Sequence, residues 1–84
     1  MGRPLEVLER RLIAQAPLLI ERALCESPDS ETVIRLVRGV VIVTALSGSE
    51  ALKFIMVSEA WAQFSFLYPE QVEPILSDAR KEFE

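Results

Sequence analysis

Histidine is absent from this 84-residue chain, and cysteine occurs once, as Cys25. The missing histidine removes the commonest general base and the commonest metal ligand together. It also rules out Glu-x-x-His metal motifs and any serine or cysteine nucleophile activated by an imidazole. With one thiol, no disulfide can close within the chain. That cysteine usage suits a reducing interior and predicts a cytoplasmic protein. Glycine occurs three times, always as a lone residue, so no glycine-rich phosphate cradle is present.

Long uncharged runs are missing as well. The longest, Gly39 to Ser49, is eleven residues, against the roughly 20 that a membrane-spanning helix requires. The opening Met1-Gly2-Arg3-Pro4 is followed by Leu5 and then by glutamates at 6 and 9, which break up the apolar core that a secretory signal needs. Glu6 also stands where an N-myristoylation signal carries serine or threonine. The expectation is a protein with no membrane association.

What the chain does have is hydrophobic sequence in excess of its size. Hydrophobic residues make up 50% of it and charged residues 26%, a balance that excludes disorder. The length fits one domain spanning residues 1–84. A chain this short buries only roughly 60% of the surface its unfolded form exposes. Two segments strain that capacity. Val33 to Leu46 ends in seven uncharged residues, five of them β-branched, and Ala51 to Tyr68 is nearly as apolar. The surplus predicts a partner, with a homodimer as the simplest closed assembly.

The formal net charge of −4 is unevenly spread. Residues 1–42 hold six arginines against six acids, whereas residues 43–84 hold three cations against seven acids, so the whole excess lies in the second half. An acidic surface repels nucleic acid and favours basic partners.

Helical spacing runs through most of the chain. From Pro4 to Glu26, Leu5, Leu8, Leu12, Ala16, Leu19 and Ala23 follow steps of three and four. Pro4 suits a first-turn position, and Glu6 with Arg10 makes an i,i+4 pair in the favourable order. Pro17 interrupts the pattern without shifting its phase, which predicts one kinked helix. Ser27-Pro28 reads as a cap followed by a first-turn proline. Thr32 to Leu46 is ambiguous because nine of its fifteen residues are β-branched. The Glu31, Arg35 and Arg38 spacing favours helix; the alternative is one strand or a hairpin over residues 33–46, turning at Arg38-Gly39. Ser47 and Glu50 have capping-box spacing ahead of a helix from Ala51 to Tyr68. That helix is apolar nearly all round, with Phe54, Val57, Trp61, Phe64 and Tyr68 on one stripe. Pro69 to Glu73 reads as a turn, with Pro74 opening a last helix.

The expected fold is therefore all-α: a small bundle of three to four helices, completed by dimerisation through the second and third, with α+β as the alternative. The expected interface residues are Val40, Val41, Val43, Phe54, Val57, Trp61, Phe64 and Tyr68, since surplus apolar surface and aromatic anchors belong to binding faces. No catalytic, cofactor-binding or metal-ligating set is expected. Cys25 closes a helix beside Glu26, away from the helix N-terminus or cationic neighbour that a nucleophilic thiol needs, so a small buried or boundary role is assigned to it. The carboxylate pairs Glu6/Glu9 and Glu70/Glu73 read as solvated helix faces. The functional expectation is a non-enzymatic protein–protein interaction module: an adaptor, chaperone-like subunit or inhibitor. Two alternatives stand beside it. One is a small dimeric nucleic-acid-associated regulator using Arg10, Arg11, Arg35 and Arg38, which the acidic net charge disfavours. The other is an acidic protein that blocks a basic nucleic-acid-binding surface.

Overall fold

In the computed structural model, residues 4–27 and 29–82 are described, with side chains from Arg11 onward except that of Leu12. The described residues are helical and contain no strand. Five helices follow one another: α1 (Pro4–Glu26), α2 (Ser30–Ala45), α3 (Ser49–Met56), α4 (Glu59–Leu67) and α5 (Pro69–Arg80). The α+β alternative is thereby overturned, because residues 33–45 are wound into α2 and Leu46 is its C-cap.

Helix wins in α2 despite the β-branched composition. Val33, Val37, Val41, Thr44 and Ala45 are its buried residues, at spacings of four and three that place them on one helical face. Val37, Val41 and Ala45 are completely buried. Burying each valine stabilises by about 1.5–3 kcal/mol, several times the few tenths by which its helix propensity falls short. Thr44 adapts by donating its hydroxyl to the carbonyl of Val40 at 2.8 Å, the back-bond that β-branched hydroxyls make inside helices. Asp29 supplies the N-cap, its Oδ1 accepting from the Thr32 N–H at 2.8 Å. The expected cap at Ser27 with Pro28 at the first helical position gives way to Asp29, two residues later.

The other helices arrange themselves around α2, which packs against α1, α3 and α5, while α4 packs on α1 and closes against α5. α1 runs unbroken through Pro17 and contributes Ala16, Ile20 and Ala23 to the core. The expected pairing of Glu6 with Arg10, and the positions of Leu5, Leu8 and Leu12, fall on side chains outside the described set. From α3 come Leu52 and Ile55, from α4 Trp61 and Phe64, and from α5 Ile75, Leu76 and Ala79. Phe64 is fully buried at the centre. Its ring stacks on Trp61 at 5.3 Å between centroids and meets Tyr68 at 5.2 Å, distances at which aromatic pairs attract beyond their burial.

Three local expectations are corrected. The helix expected from Ala51 to Tyr68 breaks at Val57-Ser58. Ser58 caps α4, accepting from the Trp61 N–H at 3.2 Å and donating to the Ile55 carbonyl at 2.6 Å. The turn between Ser47 and α3 is made by Gly48, whose φ of 107° is open to glycine alone; it serves as N-cap of α3 with no side-chain capping bond, in place of the expected Ser47–Glu50 box. Finally, α5 begins at Pro69, not Pro74, and carries Pro74 within it. The inward positions Ile75, Leu76 and Ala79 continue the phase of Val72, which packs against the core. One lost backbone bond at Pro74 is outweighed by that packing.

A single long-range ion pair crosses from α2 to α5 among the described residues. Arg38 donates through Nη2 at 2.8 Å and Nε at 3.2 Å to Oδ2 of Asp78, and Lys81 approaches the other carboxylate oxygen at 3.6 Å. The hydrogen bonds from Arg38, and then the positive charges of Arg38 and Lys81, hold the Asp78 carboxyl below the ordinary aspartate value. The Thr32 N–H does the same for Asp29.

Two measurements test this account. Phe64→Ala should cost about 3–5 kcal/mol in urea denaturation, while Phe66→Ala, at an 85% exposed position, should stay within about 0.5 kcal/mol of the parent. Both lowered aspartates bind protons more weakly when folded than when unfolded. Their contribution is therefore complete above the unfolded value near 3.8 and declines as pH falls through the lower folded values. The urea midpoint should drop on acidification below about pH 4, and Asp78→Asn should flatten that drop.

Candidate interaction surface

Packing α1 beside α2 buries one face of each and leaves a groove between their outer faces. Its floor and walls are Ile13, Ala16 and Leu19 of α1 with Leu36, Gly39, Val40, Val43 and Thr44 of α2; Arg35 sits on its rim and Ser47 at its end. The groove encloses about 440 Å³. Its lining is apolar because the one hydroxyl facing it within a helix, that of Thr44, is already committed to the Val40 carbonyl. A second concavity continues it toward the α1–α2 turn, sharing Leu19, Leu36 and Val40 and adding Arg22, Ala23 and Thr32. Together the two follow nearly the whole of α2, roughly 24 Å at 1.5 Å per residue.

The sequence dictates this exposure. α2 carries hydrophobic residues on two faces, one at Val33, Val37 and Val41, the other at Leu36, Val40 and Val43. A single bundle of this size covers only the first. Leu36 stays 49% exposed, Val43 64% and Leu19 46%. Gly39 lies between Leu36 and Val43 on the outward face, and a Cβ built there would meet nothing within 4 Å.

Of the eight residues expected at an interface, the groove brings together Val40 and Val43. Val41, Trp61 and Phe64 lie in the core of the chain itself, and Tyr68 packs half-buried against it. Phe54 and Val57 are exposed, on the far side of the break at Ser58 from the aromatic stack. That break resets the helical phase, so the stripe of Phe54, Val57, Trp61, Phe64 and Tyr68 expected on one helix divides into an outward and an inward part. Ile13, Leu19, Leu36 and Gly39 were not anticipated. The spacing of Leu36, Val40 and Val43 was visible in the sequence, but the share contributed by α1 depends on how the two helices pack.

Charges around the groove are matched locally. Arg35 pairs with Glu31 at 3.1 Å and Arg22 with Glu26 at 3.9 Å, both exposed i,i+4 pairs. With Arg38 bound to Asp78, three arginines of the first half are each engaged by an acid. The side chain of Arg10 lies outside the described set. Cys25 is exposed near the end of α1, in place of the buried or boundary role expected for it. Among the described residues no group of three or more histidine, cysteine, aspartate or glutamate side chains could hold a metal ion, and no helix is long and apolar enough to cross a membrane. No protein-family model, curated protein or solved structure matches the chain.

Since Val43 is 64% exposed, Val43→Lys should change stability by no more than a neutral surface substitution, about 0.5 kcal/mol, as read from the thermal unfolding midpoint. A collapse in stability would show that this face is core.

Proposed function

We propose that the protein is a non-enzymatic protein–protein interaction module that works through the α1–α2 groove. The observation that carries this reading is a continuous apolar channel along α2, lined by large side chains left exposed at Leu19, Leu36 and Val43. Contiguous exposed apolar surface of this kind is what interaction sites present. Its course along a helix suits an apolar helical face laid along it, the mode in which anchors recur every three or four residues. An adaptor, a chaperone-like subunit or an inhibitor would each act through such a surface. The dimer expected from the sequence belongs to the same reading.

The nucleic-acid alternative is weaker. Phosphate binding needs a stripe of uncommitted cations, whereas Arg35 and Arg38, two of the four arginines expected to form it, each face an acid. Blocking of a basic surface would draw on the acids of the second half, of which the described ones are spread over α3, α4, α5 and Glu82.

The test is site-specific photo-crosslinking in the cells that make the protein. p-Benzoylphenylalanine at position 43 should give protein adducts of discrete mass, whereas the same probe at the exposed Glu73 should give none. Equal yields at the two positions, or no adduct at 43, would refute the module.

A further inference from the structure

We draw no further inference here: the strongest candidate, the apolar groove between the outer faces of α1 and α2, belongs to the surface already described, and nothing in the structure shows what covers it.

Discussion

The burial of one valine stripe on α2 organises the whole molecule. Val33, Val37 and Val41 present a narrow, stiff ridge, and α1, α3 and α5 each pack against the helix that carries it. Once wound into a helix, β-branched side chains already occupy one dominant rotamer, so packing the ridge against its neighbours adds only a modest further entropic cost. Only α4 stands off it, held through α1 and α5 and anchored by Phe64 in the same core. The polar groups that this arrangement buries are satisfied locally: no buried side-chain nitrogen or oxygen among the described residues lacks a partner.

A helix that is apolar on two faces poses a different problem from an amphipathic one. The first face builds the domain; the second remains for something else. In α2 the division is clean, with Val37 and Val41 fully buried while Leu36 and Val43 are half exposed or more. The two faces meet at Val40, half-buried and shared between core and groove. The surface that defines the proposed activity is thus a direct continuation of the core, and the same few turns of helix serve both.

Much of the fold was legible in the sequence. The helical phase of α1 survives Pro17, and the Glu31–Arg35 pair forms at the spacing that favoured helix for α2. The pattern of α2 pointed to helix only narrowly, because composition argued for strand and only tertiary burial decides between them. The break at Val57-Ser58 was less visible. Ser58 followed by Glu59 is an N-cap signal, but it sits inside an apolar run with no glycine or proline to mark it. The proline of α5 misled in the opposite direction: Pro74 reads as a start, yet Ile75, Leu76 and Ala79 hold the helix continuous across it. The interaction surface was legible in kind, not in place. An excess of apolar residues shows in composition, whereas Leu19 and Leu36 become neighbours only once α1 and α2 are packed.

The composition of α2 also fixes what happens when packing is lost. Val40 to Leu46 is an uncharged run, five-sevenths β-branched, without proline. Freed from the bundle, such a segment has the properties that drive stacking into cross-β fibrils. Winding it into a helix hides its extended-chain preference, and the neighbouring Arg35 and Arg38 flank it as gatekeepers on one side only. The helical fold therefore keeps this segment out of the extended form that such stacking requires.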